Sequence, residues 1–290
     1  MGALLEFFAA PFRFGFMTNA MIATLIASIV CALLSCWLVL IGWSLMGDAV
    51  SHAVLPGVVL AYIVGAPFAL GAIVFGVLAV ALIGAVRDRG RVKEDAAIGI
   101  VFTTLFALGL VLVSITPSQI DLNHIVFGNV LGVSTADVWQ IAILGAIVAA
   151  VLILKRRDFT LYAFDPSHAF AIGLNPRLLG ATLLGLLALT AVTALQVVGV
   201  VLVVAMLIIP GATARLLTDR FGRMLVIAPA LAALCGIVGL YVSFYAETSA
   251  GGMVVLAQGI LFFAVYLFAP RGGVVTEGLR TRRRGRATAA

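Results

Sequence analysis

Few residues in this chain have side chains that do chemistry, and two of them sit together. The stretch GDAVSHAVLPG, residues 47–57, sets an aspartate and a histidine four positions apart inside a long apolar run. On a helix, positions i and i+4 share a face one turn apart. Asp48 and His52 therefore present a carboxylate oxygen beside an imidazole nitrogen. That donor pair suits Mn²⁺, Fe²⁺ or Zn²⁺. It suits Ca²⁺ poorly, because Ca²⁺ prefers about six to eight oxygens. An ionised Asp at the centre of a span costs about 2.5–3.5 kcal/mol on insertion scales, so such groups face a bundle interior or an aqueous path. Two plainer readings share the pattern: an Asp–His hydrogen bond that locks helices together, or an Asp capping a helix start. Pro56 removes a backbone hydrogen bond and predicts a kink just beyond the pair.

One pair of donors cannot close a metal site, so further ligands must come from elsewhere. Glu247, in SFYAETSAGG, is the acid near the far end of another apolar run and is a candidate ligand; the alternative is a solvated turn. His124 belongs to an outer loop, as a structural or gate-lining group. His168 reads as a surface residue.

The elements that must position Asp48 and His52 are membrane spans. The chain has 290 residues, 63% hydrophobic and 10% charged, with mean hydropathy +1.23. A soluble domain carries about 25% charged residues. Residues 14–86 contain no Lys or Arg, and Asp48 is their one acid. Since a helical span takes roughly 20 apolar residues, the expected fold is an all-α polytopic membrane protein. A β-barrel is excluded because its strands alternate over about 10 residues, whereas these runs are continuous.

Candidate spans are 16–46, 48–65, 67–86, 96–115, 138–154, 178–198, 200–217, 224–245 and 251–268. Basic clusters fall at Arg87–Lys93, Lys155–Arg177, Arg215–Arg223 and in the C-terminal tail. Positive charge favours the cytoplasm, and two spans separate each neighbouring pair of clusters. Eight or nine transmembrane helices fit, and nine places every cluster inside, with a cytoplasmic C-terminus. The first span is unanchored, because GWSLMGD carries no basic residue. Residues 1–270 form one transmembrane domain, and 271–290 a basic cytoplasmic tail expected to be disordered, its arginines drawn to anionic headgroups.

The net charge of +6 is spread over span-flanking loops and the tail, so it is not a nucleic-acid signal. Cys31, Cys36 and Cys235 lie in apolar segments without CxxC spacing and read as packing residues. No cleavable signal peptide is evident. There is no GxxxxGK[ST] and no HExxH.

Two connections stand out. Pro117, Gly128 and Gly132 predict a broken or re-entrant segment between 116 and 137. In the longest inner connection, residues 155–179, Asp165-Pro166 reads as a helix start and Gly173 with Asn175-Pro176 as its stop. A short cytoplasmic helix over 166–172 follows.

With these residues in view, the chain resembles the permease subunits of ABC importers for manganese, zinc or iron. The likeness runs from about Phe16 to Pro270. It rests on SLMGDAVSHAVLPGVVLAYIVG, EDAAIGIVFTTLFALGLVL, DLNHIVFGNVLGVS, FDPSHAFAIGL and LQVVGVVLVVAMLIIPGATA, in that order. The block around His124 is similar to the form common in manganese-type members. The resemblance implies a permease fold working as a homodimer, driven by two cytoplasmic ABC ATPases and fed by an extracytoplasmic metal-binding protein. The location it implies is the bacterial inner membrane. Asp48 and His52 fall on the family's metal-coordinating positions; Asp165, Ala169 and Gly173 fall on its ATPase-docking pattern. No covalent cofactor is implied; the divalent metal (Mn, Zn or Fe) is cargo. This chain departs from the family in having LIGW before SLMGD, and Glu247 with Ser249 where Asp and Pro are common.

Two other classes fit parts of the pattern. A proton-coupled secondary carrier of metal cations would share the intramembrane acid and histidine but need no docking helix. An intramembrane metalloenzyme would need more ligands and a general base, which three scattered histidines do not supply.

Overall fold

A computed structural model of the chain describes residues 11–66, 68–89, 93–116 and 132–269, and every regular element among them is helical. After a 3-10 turn at Pro11–Arg13 come α1 (Gly15–Ile41), α2 (Ser44–Ala53), α3 (Leu55–Val64), α4 (Phe68–Arg89), α5 (Glu94–Ile115) and α6 (Thr135–Leu154). The short helices α7 (Arg156–Phe164) and α8 (Pro166–Ala171) follow. Then come α9 (Pro176–Val198), α10 (Val200–Leu217), α11 (Phe221–Ala246) and α12 (Ala250–Phe268). Among the described residues, 8 stretches are long and apolar enough to cross a membrane, α2 and α3 counting as one. The shorter apolar α10 has 18 residues, which rise about 27 Å against a hydrocarbon core of about 30 Å. With it, the described residues hold nine apolar helical stretches, against the eight or nine spans expected.

Aromatic contacts define the two ends of the bundle. At one, Trp37 of α1 meets Phe159 of α7 and Phe221 of α11, with ring centroids 6.2 and 5.1 Å apart, and Trp43 meets Tyr162 at 6.4 Å. Lys155, Arg156, Arg157, Arg177, Arg220 and Arg223 lie exposed at this end, the basic face. At the other end Phe12 meets Tyr241, Phe14 meets Phe244, and the Asn19 amide donates to the Val133 carbonyl at 3.3 Å. Hence α1 runs towards the basic face and α11 runs away from it.

The first span ends earlier than its composition suggests. The apolar run continues to Met46, but α1 stops at Ile41 because Gly42 adopts φ 90° and donates its N–H to the Leu38 carbonyl at 3.0 Å. A left-handed glycine after the last turn is a common helix stop. The second span therefore begins at Ser44, and Asp48 lies in its second turn rather than at its first residue. Trp37 and Trp43, buried against α7 and α11, tie this end of the span to the basic face.

Close approach between helices is bought by glycine and by a hydroxyl. A Cβ on Gly57 of α3 or Gly71 of α4 would strike the other's carbonyl. In α10, Pro210 has no N–H, which interrupts the ladder there. Ser35 of α1 fills in, accepting from the Gly211 N–H at 3.0 Å and donating to the Ile208 carbonyl at 3.4 Å. Cys31, Cys36 and Cys235 are free thiols, all buried in the bundle. Of the broken or re-entrant segment expected between 116 and 137, residues 117–131 lie outside the described residues, as does the tail beyond Ala269, and Thr135 already opens α6.

Replacing Gly57 or Gly71 by Ala should destabilise the bundle by about 1–3 kcal/mol through overpacking. Gly84→Ala, where a Cβ meets nothing within 4 Å, should be neutral. Thermal unfolding in detergent, compared across the three variants, checks this.

Candidate functional site

The ten residues of α2 divide into a packed face and a polar one. Met46, Gly47, Ala49, Val50, Ser51 and Ala53 are buried. Gly47 lets α2 lie close to α10, since a Cβ there would stand 3.0 Å from the Leu207 Cδ1. Ser51 belongs to this face too: its hydroxyl donates to the Gly47 carbonyl at 2.8 Å and so takes no part in the polar pair.

Asp48 and His52 occupy the other face. His52 Nε2 lies 3.4 Å from Asp48 Oδ1, and their side chains are 27% and 36% exposed respectively. That separation is longer than the usual hydrogen-bond range of about 2.7–3.2 Å. The two groups are neighbours, close enough to hold one cation between them, without a tight mutual bond.

The imidazole is flanked by two rings of α5, Phe102 at 5.4 Å and Phe106 at 5.3 Å, the latter edge-on. Their i, i+4 spacing puts both on one helix face. Sequence reasoning passed over them. The available signal was the phenylalanine pair in VFTTLF, which reads as ordinary apolar filling in a span.

Just beyond His52 the span breaks. α2 ends at Ala53, the Val54 N–H turns back to the His52 carbonyl, and α3 opens with Pro56 in its first turn. In a continuous helix that carbonyl would accept from residue 56, but proline has no N–H. A proline is well tolerated in a first turn, so the interruption falls at Val54, ahead of Pro56.

Glu247 is elsewhere. It ends α11 in a left-handed conformation, φ 51°, exposed at the end opposite the basic face. Asp48 lies within two turns of the basic face, so one chain does not bring these carboxylates together. Among the described residues no three His, Cys, Asp or Glu side chains gather as a metal-binding group. His124 lies outside the described residues.

At the basic face, α8 is built by its caps. The Asp165 carboxylate accepts from the His168 N–H at 2.9 Å. At the other end the Gly173 N–H bonds the Phe170 carbonyl and the Leu174 N–H bonds the Ala169 carbonyl, both at 3.0 Å, with Gly173 at φ 90°. This double bond pattern around a left-handed glycine is a Schellman stop. Asn175 then caps α9, accepting from the N–H groups of Arg177 and Leu178. Ala169 is fully buried, while Phe170 is 72% exposed. The helix observed, Pro166–Ala171, is one residue shorter than the caps implied. α7 was not foreseen; its Phe159 is buried against Trp37.

The profile of the ABC 3 transport family covers residues 13–269. The chain belongs to that family. It is 48% identical over 272 residues to the manganese transport system membrane protein MntB of Synechocystis, covering 94% of this chain and 89% of that one. It is 44% identical to the chelated iron transport system membrane protein YfeC of Yersinia pestis, over 96% of this chain and 95% of that one. In three dimensions it resembles PsaBC from Streptococcus pneumoniae, solved with a Fab, with TM-score 0.85 and 37% identity over 93% and 97% of the two chains. The fold of this ABC 3 family member is thus the all-α permease fold.

Asp165→Ala should remove the cap of α8 at a cost of about 1 kcal/mol. Hydrogen exchange at the His168 amide should quicken, while amides in α9 stay protected; an unchanged His168 amide would contradict the capping role.

Proposed function

We propose that this chain is the membrane-spanning permease subunit of an ATP-driven importer of divalent transition metals, manganese foremost, with zinc and iron as further candidates. The observation that carries the reading is the Asp48–His52 pair: half-buried, 3.4 Å apart, and set in an apolar span beside a helix break. Relatives named for manganese and iron transport support the metal class.

The donor count argues for two copies. Each chain offers one carboxylate and one imidazole, and a second copy facing the first would double the set. The partial exposure of both side chains in a single chain fits a site shared across such an interface. Oxygen and nitrogen donors together suit Mn²⁺, Fe²⁺ and Zn²⁺. Binding must be weak enough to release the ion, since conduction requires leaving as well as entering. The imidazole must be neutral to donate its lone pair, so protonation of His52 opposes loading.

The positive-inside rule puts the basic face in the cytoplasm. There α8, with exposed Phe170 and Ile172, is the docking element for a cytoplasmic ATPase dimer. Asp165, Ala169 and Gly173 shape it by cap, packing and stop. ATP hydrolysis belongs to those partner chains. An extracytoplasmic metal-binding protein delivers the ion at the opposite face, where Glu247 stands at the mouth of the route. The ATPase dimer, closing on ATP, moves α8, and that motion reaches α2 through α9, on which both α8 and α7 pack.

Asp48→Ala and His52→Ala should each lower manganese uptake by at least about tenfold in proteoliposomes holding the whole complex, on the loss of one ligand to the ion. Co-purification with the ATPase should be unaffected. Wild-type uptake by either variant would refute the site, and uptake driven by a proton gradient without any ATPase would favour the secondary carrier. Phe102→Ala with Phe106→Ala should reduce uptake severalfold without abolishing it, because the imidazole stays present but loses its flanking rings.

A further inference from the structure

A cavity lies apart from the polar pair, at the basic face between α7 and the start of α11. Its volume is about 590 Å³, and its lining includes Arg156, Arg157, Leu161 and Phe164 of α7 and Phe221 and Leu225 of α11. That is the size of small-molecule sites, about 300–1,000 Å³. The α7 residues recur on successive turns of one helix face, and the α11 residues are one turn apart. The result is a groove with guanidinium groups at one end and an apolar floor.

Three observations say what fits it. Both arginines are exposed, and neither has a carboxylate within ion-pair distance among the described residues, although Asp158 is next in the chain. Second, the apolar floor is open: Phe164 is 62% exposed. Third, the groove sits at the ends of two spans. Arg156 opens α7 directly after the span α6 ends, and Phe221 opens the span α11. This is the depth at which acyl chains give way to headgroups. A cation pair at headgroup level over an apolar floor at chain level matches an amphiphile with a phosphate.

We propose that this groove is a binding site for an anionic glycerophospholipid. The phosphate is held by Arg156 and Arg157, whose forked donors match phosphate oxygens. One acyl chain lies along Leu161, Phe164, Phe221 and Leu225. The bound lipid fills the space between α7, which adjoins the docking helix α8, and α11. The inference does not rest on which ion the chain carries.

The test uses the purified full-length chain, equilibrated with an equimolar mixture of phosphatidylglycerol and phosphatidylcholine, with retained lipid counted by native mass spectrometry. The wild type should keep phosphatidylglycerol severalfold over phosphatidylcholine. Arg156→Gln with Arg157→Gln should bring that ratio near one. So should Gly222→Phe, which puts a ring into the groove while keeping every charge; a Cβ at Gly222 meets nothing within 4 Å. No preference in the wild type would overturn the proposal. A preference that survives Gly222→Phe would also overturn it, since it would then reflect general attraction to surface arginines. So would a Gly222→Phe variant that, co-expressed with the ATPase in a parallel preparation, fails to co-purify with it yet keeps phosphatidylglycerol, which would make the groove a protein-docking surface.

Discussion

A carboxylate within an apolar span has to be compensated, and the geometry around Asp48 is organised by that requirement. Here the compensation is local and partial. An imidazole one turn away stands 3.4 Å from the carboxylate, near enough to share a proton or a cation and too far for a tight bond. A closely hydrogen-bonded pair would satisfy itself and need nothing more. This looser pair keeps lone pairs available, which is a reason for a membrane chain to hold it.

The neighbouring helices fix where that pair points. Gly47 and Ser51 make the back of α2 narrow and self-satisfied, so it seats on α10 with its polar face turned the other way. Phe102 and Phe106 of α5 then limit where the imidazole can go. The break at Val54 separates this short segment from α3, whose own close contact is with α4 through Gly57 and Gly71. Both halves of the span pack on α5; the lower half lies also against α10 and α9, and the upper half chiefly against α4.

Much of this was legible in the sequence because it rests on local rules. Asp48 and His52 stand out as polar groups in an apolar run, and i, i+4 spacing states their geometry in advance. Asp165-Pro166 and Gly173 delimit α8 because caps and stops are chemistry of single residues. What was not legible depends on partners far apart in the chain. Gly42 ends α1 without any change in hydropathy to mark it. α7 hides because its buried face, centred on Phe159, exists only once Trp37 is placed against it. Phe102 and Phe106 look like any span residues until α5 packs beside α2. Ser35 is one hydroxyl among many small residues until α10, interrupted at Pro210, is laid against it. Glu247 shares an acidic character with Asp48, and only the antiparallel course of α1 and α11 reveals that the two lie at opposite ends.

The placement of the sulfhydryls has a practical consequence. The chain has three cysteines, and Cys31 and Cys36 are 0% and Cys235 5% exposed. Water-borne alkylating reagents react with accessible thiolates, and groups packed among helices are inert to them. The natural sequence is thus already a quiet background for maleimide chemistry. A single cysteine introduced on the open side of α2, for example at the exposed Leu45, would be the sole reporter, and its accessibility would track opening and closing of the route without first stripping the native thiols.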